Sequence, residues 1–537
     1  DRNSTVTSVK ALIESAYFED PENVKSVYLF GHVPVPYSGN IVPDGHDGSR
    51  GNSHRGAWAA DVFYGDINNS WTDNSVNVSI SNFAHNYNVP GDGKYDQSNM
   101  SEKVELQVGR VDLQDMTWFN QSEEALLKQY VMKDYEFRYK IYVPQQRAIV
   151  YSGFGKHNGM YPAKSAYRNA ANFVGYENIT TITTDWTILP GMKNESYLFA
   201  HGDGSGWMQG SSGFGMTDEF SAYDPKCTFW SSFGSWYGDW DYQNNFLRAP
   251  LATSRGLFNA WVGTTHWFLH HFAMGYNIGY SVNLWHNNQQ GNLLYPLKTN
   301  NDLTQTVEIA LMGDPTLRLQ PVAPPANVIN TDGVITWEAS ADASVLGYHV
   351  YKASSELGVY KRLTTELSDA LTFTDVNYTP GEVYMVRAVK LEVSKCGSYY
   401  NPSQGMFSTC LIDSISPTIV QNIVVSSQTD NGGVITWTTS TDNVDVVAYR
   451  VYDGAEFIGE SSDNTITLTG LLPGTSYDQM VVVAVDPSGN ESVPANTGTW
   501  MTSGPADTEK PGIPSGLTVE ASNTTRAANS WNPTPDN

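Results

Sequence analysis

Two short segments of the sequence carry residues that could perform nucleophilic chemistry. An apolar run over residues 197–200 is followed by His201 and Gly202, and another over residues 227–233 is followed, after one glycine, by Ser235. If the two runs are neighbouring parallel strands, about 4.8 Å apart, their ends meet at one rim of a sheet. His201 is then a candidate base, Ser235 a candidate nucleophile, and the backbone amides of Gly202 and Ser235 candidate oxyanion donors.

A serine nucleophile needs more help than this pair provides. Its hydroxyl must contact a base directly, and a third group must fix the tautomer of that base. Asp203 lies two residues after His201, and Asp61 lies in a separate Ala-Asp-Val-Phe-Tyr-Gly segment. The sequence offers Asp61 and Asp203 as the two candidate orienting groups.

The surrounding segments predict the architecture that would position these residues. Apolar runs of strand length cover residues 27–31, 104–111, 147–152, 197–201, 227–234 and 257–263, and helical periodicity covers 122–139, 163–174 and 270–282. Alternation of strands and helices predicts a mainly parallel sheet covered on both faces. Ligands of such sheets bind beyond the carboxyl ends of the strands, where the candidate residues lie.

Several motifs in this region resemble the gingipain-like cysteine peptidases, which are relatives of the caspases. The matching stretches are Tyr-Leu-Phe-Gly at 28–31, Ala-Asp-Val-Phe-Tyr-Gly at 60–65, Val-Gly-Arg-Val at 108–111, His-Gly at 201–202 and Leu-Met-Gly-Asp-Pro-Thr-Leu at 311–317. The resemblance implies an α/β caspase-like domain with an N-terminal part over 1–145 and a catalytic-type part over 146–322. It also implies a substrate cleft bordered by residues 264–268, with Trp267 and Asp203 as substrate-binding residues.

One departure from that family decides the expected activity. Ser235 stands where the family has its nucleophilic cysteine, and Cys227 is too far back along its strand to replace it. We therefore expect a pseudo-peptidase that keeps the fold for binding a protein or peptide partner. The alternatives are an active endopeptidase using Ser235 and His201, a cysteine peptidase trapped by a Cys-to-Ser substitution, and a self-assembling structural subunit of a surface layer or filament.

No cofactor is required for this chemistry, but one loop suggests a structural metal ion. Asp44, His46 and Asp47 lie close together among glycines. Oxygen-rich loops of this kind hold Ca²⁺, and calcium use is also implied by the gingipain resemblance. Ordinary tight turns favour the same residues, so both interpretations stay open.

The last 215 residues repeat themselves. Gly-Val-Ile-Thr-Trp occurs at 333–337 and again at 433–437, and a Pro-Gly pair precedes a tyrosine in both copies. Short alternating strands separated by turns predict β-sandwiches. These segments resemble fibronectin type III modules, immunoglobulin-like all-β sandwiches, over 323–413 and 414–503. Residues 504–537 are expected to be a linker and the start of an incomplete third module.

Composition limits the partners and the compartment. The chain of 537 residues has 31 basic and 56 acidic side chains and a net charge of −25, which argues against nucleic acid. No apolar run of about 18 residues predicts a membrane span. With 3 cysteines and a polar, weakly charged surface, the chain is expected to be a bacterial extracellular or cell-surface protein. Its polar ends predict that it is part of a longer protein.

Overall fold

The structure is a computed structural model, and it divides into two compact units. The first comprises Asp1–Val328 and Asp332–Ser408, and the second comprises Ile329–Thr331 and Thr409–Asn537. The residues described are 4–46, 53–154, 161–182, 189–211, 213–261, 267–288, 307–410, 415–442, 446–486, 489–505, 515–523 and 526–532. The boundaries expected at residues 145, 322, 413 and 503 stay predictions.

The α/β part of the first unit alternates helices and strands, as the sequence predicts. Its elements are α1 (Val6–Glu19), β1 (Ser26–Phe30), β2 (Tyr37–Ile41), β3 (Gly56–Ala59), α2 (Val62–Gly65), β4 (Gln107–Val111), α3 (Glu123–Arg138), β5 (Ala148–Ser152), α4 (Tyr161–Val174), β6 (Ile179–Ile182), α5 (Leu189–Met192), β7 (Tyr197–Asp203), β8 (Gly206–Trp207), β9 (Gly210–Ser211), β10 (Gly215–Met216), α6 (Thr217–Tyr223), β11 (Cys227–Phe233), α7 (Ala249–Ala252), β12 (Phe258–Trp261), α8 (His270–Ala273), α9 (Ile278–His286) and β13 (Ala310–Gly313).

One sheet organises this part of the molecule. Its eight strands follow the order β1-β4-β13-β12-β11-β7-β5-β6, and of these neighbours only β12 and β13 pair antiparallel among the described residues. The expected mainly parallel sheet is therefore present. Every residue of β7 and β11 is buried, which explains why both strands read as continuous apolar runs rather than alternating ones.

Local sequence signals account for the helix boundaries. The Ser122 side chain accepts a hydrogen bond from the Ala125 amide at the start of α3, acidic residues follow in the first turn, and Arg138 ends the helix. The helix expected over 270–282 is instead two helices. Gly275 has φ +88° between them, and the Asn277 side chain caps the second helix by accepting from the Tyr280 amide.

The repeated C-terminal segments form β-sandwiches. The strands are β14 (Ala326–Thr331), β15 (Val334–Glu338), β16 (Val345–Ala353), β17 (Lys361–Arg362), β18 (Thr372–Thr374), β19 (Val383–Ser394), β20 (Gly397–Pro402), β21 (Met406–Phe407), β22 (Thr409–Cys410), β23 (Gln421–Ser426), β24 (Gly433–Thr438), β25 (Ala448–Asp453), β26 (Glu456–Ser461), β27 (Thr465–Leu468), β28 (Ser476–Tyr477), β29 (Met480–Val485), β30 (Ala495–Asn496), β31 (Trp500–Met501), β32 (Ser515–Asn523) and β33 (Arg526–Asn532).

Each sandwich is built on the residues that the repeat picks out. Trp337 is buried in the first core and Trp437 in the second. After the Pro-Gly pair of the second copy, the Tyr477 hydroxyl accepts the Leu472 N–H at 3.0 Å, the bond expected of a tyrosine corner. The third copy contributes only the antiparallel pair of β32 and β33 to the described residues. Within the described residues, no helix has the length and hydropathy to cross a bilayer.

Candidate functional site

The strands that carry His201 and Ser235 are neighbours, but the two side chains have different partners. His201 pairs in register with Ser231, and Ser235 lies four residues further along the chain. The ring nitrogens of His201 contact Ser231 Oγ at 2.8 Å and Asp203 Oδ2 at 3.0 Å. Ser235 Oγ lies 3.3 Å from His46 Nε2 instead. The contact between His201 and Asp203 is thus present, whereas both ring nitrogens of His201 are occupied by residues other than Ser235.

The remaining residues predicted for that chemistry have structural partners. Gly202 pairs with strands on both sides, inside the sheet rather than at its rim, and a Cβ there would come within 1.9 Å of the Phe214 ring. Asp61 forms a buried two-bond ion pair with Arg110, at 2.8 Å for each bond. Asp61 therefore holds Arg110 and does not orient His201.

Trp267 and the expected calcium ligands are only partly described. Trp267 is buried, and its backbone oxygen accepts hydrogen bonds from Ser165 and Asn169.

Asp44 Oδ2 lies 2.5 Å from His54 Nδ1, and Asp47 lies outside the described residues. No group of three or more described histidines, cysteines or carboxylates could hold a metal ion. Calcium at Asp44, His46 and Asp47 stays a prediction.

The loop that follows β11 brings two carboxylates to one hydroxyl. The Tyr37 hydroxyl lies 3.4 Å from Asp239 Oδ1 and 3.4 Å from Asp241 Oδ2. The two carboxylate oxygens therefore lie within about 7 Å of each other. Asp239 is fully buried, and its Oδ2 contacts His85 Nε2 at 2.5 Å. The His85 side chain is 41% exposed, so this imidazole is the accessible end of the pair.

The surroundings raise the pKa of both accessible titratable groups, Asp241 and His85. Burial raises the pKa of the Asp241 carboxyl, and the nearby Arg248 and His32 only partly offset that effect. Burial lowers the pKa of His85, but the hydrogen bond and charge of Asp239 outweigh it, so the pKa is raised overall. The protonated form of His85 is therefore favoured to higher pH than for a free imidazole, and ionisation of Asp241 also needs a higher pH than for a free carboxyl.

A polar cavity of about 730 Å³ lies in the α/β part of the molecule. It is lined by His32, Pro34, Leu113, Gln114, Asp115, Met116, Thr117, Gln121 and Glu123. Arg248 links its wall to the loop, because its guanidinium donates to Gln114 O at 2.7 Å and to Tyr242 O at 2.8 Å. A cavity of this volume is in the range that small ligands occupy.

A second carboxylate-bound imidazole faces the cavity. His32 Nδ1 lies 2.9 Å from the buried Asp112, and that hydrogen bond raises the pKa of His32. The His32 side chain is 40% exposed. Two half-exposed imidazoles, each held by a buried carboxylate, therefore feel the charge of Asp241, which raises the pKa of both.

Sequence reasoning missed this group of residues, although part of its signal was visible. Asp239 and Asp241 alternate with aromatic residues directly after a buried strand. Carboxylates that follow a buried strand of such a sheet lie on the side where ligands bind. Tyr37 and His85 could not have been found in the same way, because they lie more than 150 residues away in sequence.

The curated relatives of the chain are polysaccharide-degrading enzymes. Exoglucanase B of Cellulomonas fimi is 32% identical over 218 residues, which is 39% of this chain and 19% of that protein. Chitinase A1 of Niallia circulans is 34% identical over 128 residues, 24% of this chain and 18% of that protein. The chain thus spans less than a fifth of the length of either relative. No protein-family model matches it.

Solved structures give weaker similarity. Two fibronectin type III domains of chicken tenascin match at 19% identity and a TM-score of 0.21, over 33% of this chain and 99% of that one. A structure titled "Structure of Protease" matches at 12% identity and a TM-score of 0.41, over 74% of this chain and 88% of that one. At these scores, neither similarity supports an argument about function.

The resemblance to gingipain-like peptidases is wrong. The curated relatives are exoglucanases, chitinases and an endoglucanase rather than peptidases. The contacts agree with this correction, since His201 bonds Ser231 and Asp203, while Ser235 contacts His46. The pseudo-peptidase hypothesis and its three alternatives are withdrawn with it. The expectation of fibronectin type III modules is consistent with the sandwiches that the structure shows.

Proposed function

We propose that the chain is an extracellular carbohydrate-active protein whose α/β part hydrolyses glycosidic bonds in a polysaccharide. The observation that carries the proposal is the pair of accessible groups beside Tyr37. The loop that carries Asp241 is linked through Arg248 to the wall of a polar cavity, and Asp241 and the Asp239-bound His85 each have a raised pKa. Functional acid–base pairs are commonly found where burial and neighbouring charges shift pKa values in this way.

The two groups supply the proton transfers that glycoside hydrolysis needs. Protonated His85 donates its Nδ1 proton to the departing glycosidic oxygen, since Nε2 is held by Asp239. Ionised Asp241 accepts a proton from the water that attacks the anomeric carbon. The bond between that carbon and the leaving oxygen breaks, and the water oxygen takes its place. The reaction adds one water and leaves two shorter sugar chains.

The walls of the cavity suit an uncharged sugar. Hydrogen-bonding side chains such as Gln114, Thr117 and Gln121 match sugar hydroxyls. Asp115 and Glu123 lie on the same wall, and repulsion by these carboxylates and by a net charge of −25 disfavours acidic sugars. Exposed aromatic rings offer stacking surfaces beside the loop: Tyr242 is 40% exposed, and Trp118 is 37% exposed with its amide bonded to Asn244.

The C-terminal modules are consistent with this setting. The named relatives are an exoglucanase and a chitinase. The largest alignment covers 218 residues, close to the combined length of the C-terminal segments. The relatives therefore support a polysaccharide context, while the proposed chemistry rests on the residues of the α/β part.

A screen of the whole chain tests the proposal. It is incubated with soluble β-glucan, amorphous cellulose and colloidal chitin, and new reducing ends are measured. At least one substrate should be cleaved, and His85→Gln should lower the rate about a hundredfold or more, the usual contribution of a general acid. His349→Gln is the matched control, because His349 lies in a sandwich and contacts Thr364. Equal rates for the two variants would contradict the role of His85.

A further inference from the structure

A second group of residues, centred on Ser235, has no part in the glycosidic chemistry. Ser235 is half-buried directly after β11, and its Oγ lies 3.3 Å from Nε2 of the exposed His46. A serine hydroxyl in contact with an imidazole is the first requirement of an activated nucleophile, and other groups must then hold that imidazole. The residue is therefore placed for covalent chemistry with His46 as its partner.

His46 is fixed in place by backbone bonds and by stacking. Its carbonyl accepts the His54 N–H at 2.9 Å, and its own N–H donates to Asp44 Oδ1 at 3.4 Å. The two imidazole rings stack with centroids 4.6 Å apart. His54 in turn is held by Asp44 and lies 3.9 Å from the Trp236 ring. The base is thus positioned before any substrate arrives, which is what efficient proton transfer requires.

The backbone at this turn is strained. Trp236, the residue after Ser235, has φ +67°, a conformation that is unusual for a bulky side chain. Its ring is nevertheless buried against Trp58, with centroids 5.2 Å apart. Strain of this kind persists where the surrounding packing enforces it, and such positions cluster at functional sites. The backbone of Gly206 packs closely against this turn, because a Cβ at Gly206 would lie 2.9 Å from the Ser235 backbone nitrogen.

We propose that Ser235 and His46 form a second hydrolytic site, which cleaves short, uncharged acyl esters carried on hydroxylated polymers. Ser235 Oγ attacks the ester carbonyl while His46 Nε2 takes its proton. The bond to the alcohol oxygen breaks, and that oxygen receives the proton from His46. Water then attacks the acyl-serine by the same route, which releases the carboxylic acid and restores Ser235.

The chemistry of the surroundings selects this class of ester. The site is open, with Ser235 half-buried and His46 exposed, so a polymer can present a side group to it. Trp207, in the adjacent strand β8 and 39% exposed, offers a flat surface to a sugar ring. The net charge of −25 disfavours anionic acyl groups.

Two probes of the full chain test the site: p-nitrophenyl acetate and a fluorophosphonate with peptide mapping. The chain should release p-nitrophenol catalytically, and the label should map to Ser235. Ser235→Ala should abolish both signals, and His46→Gln should lower both rates at least about a hundredfold. Ser231→Ala, on the preceding strand β11, is the matched control and should keep the rate within about twofold.

Further variants separate this site from the proposed glycosidase and from loss of folding. Asp241→Asn should leave p-nitrophenyl acetate turnover unchanged. The proposed ester hydrolysis and the proposed glycosidic hydrolysis can therefore be tested independently of each other. Ser235→Cys should lose the fluorophosphonate reaction and gain iodoacetamide labelling that peptide mapping places at residue 235, apart from the exposed Cys396, with an unchanged circular dichroism spectrum. Labelling that maps to another serine, turnover that persists in Ser235→Ala, or the absence of both signals in the parent chain would overturn the proposal.

Discussion

At the scale of single residues, the proposed hydrolysis depends on how tightly His85 holds its proton. Asp239 is buried against His85, and its charge raises the pKa of the imidazole, while burial raises the pKa of Asp241. Activity requires ionised Asp241 and protonated His85. The rate should therefore rise with pH through the pKa of Asp241 and fall again through that of His85.

The pH profile gives the first prediction at this scale. A plot of kcat/KM against pH should be bell-shaped, with its acidic limb above the ordinary carboxyl value of about 3.9 and its alkaline limb above the ordinary imidazole value of about 6.5. Asp239→Asn removes the charge that stabilises the imidazolium and should move only the alkaline limb to lower pH. An alkaline limb that stays in place in this variant would exclude the role given to Asp239.

The residues at the candidate site show how far sequence reasoning reaches. Both strands were found from their apolar runs, because buried parallel strands have a clear pattern, but the first continues to Asp203 and so places Gly202 inside the sheet. The sequence did not reveal the partner of Ser235, because His46 contacts it from a loop that lies 189 residues away in the chain. Spacing along one strand also misled the prediction for His201: Ser231, rather than Ser235, is its register partner.

At the scale of elements, close packing between β7 and the segment after β9 explains a glycine that the sequence suggested as an oxyanion donor. A Cβ at Gly202 would overlap the ring of Phe214, which is itself fully buried. The glycine is therefore needed for packing inside the sheet. The eight-stranded sheet was predictable from the alternation of segments, whereas this approach of ring to backbone depends on tertiary structure.

Gly202→Ala should consequently destabilise the α/β part by about 1–3 kcal/mol, the usual cost of overpacking. Urea unfolding followed by tryptophan fluorescence measures the change. Gly433→Ala is the control, since no atom lies nearer than 3.4 Å to a Cβ at that position. Equal stability of Gly202→Ala and the parent chain would show that the sheet accommodates the methyl group.

The sandwiches allow a matching test of one hydrogen bond. Tyr477→Phe removes the acceptor of the Leu472 N–H and should cost about 0.5–1.5 kcal/mol. Tyr400→Phe, at an exposed position of the first sandwich, should have little effect. Thermal unfolding of both variants would decide whether the Pro-Gly-x-x-Tyr motif stabilises its module. An equal effect of the two changes would argue against a tyrosine corner.

At the scale of the whole molecule, the acidic surface predicts which polysaccharides are good substrates. A net charge of −25 repels anionic polymers, and salt screens that repulsion. Uncharged β-glucan should be cleaved faster than its carboxymethylated form at low ionic strength, and added salt should narrow the difference. If the ratio of the cleavage rates of β-glucan and carboxymethylated β-glucan does not change with salt, charge repulsion does not cause the selectivity between them.

The central claim is that Asp241 is the base of a glycosidic hydrolysis, and one comparison tests it most directly. Release of reducing ends from the best polysaccharide substrate is measured for the parent chain, Asp241→Asn and Asp218→Asn, an exposed carboxylate on α6. We expect Asp241→Asn to be slowed at least about a hundredfold and Asp218→Asn to match the parent chain. Undiminished cleavage by Asp241→Asn, or no cleavage of any polysaccharide by the parent chain, would contradict the claim.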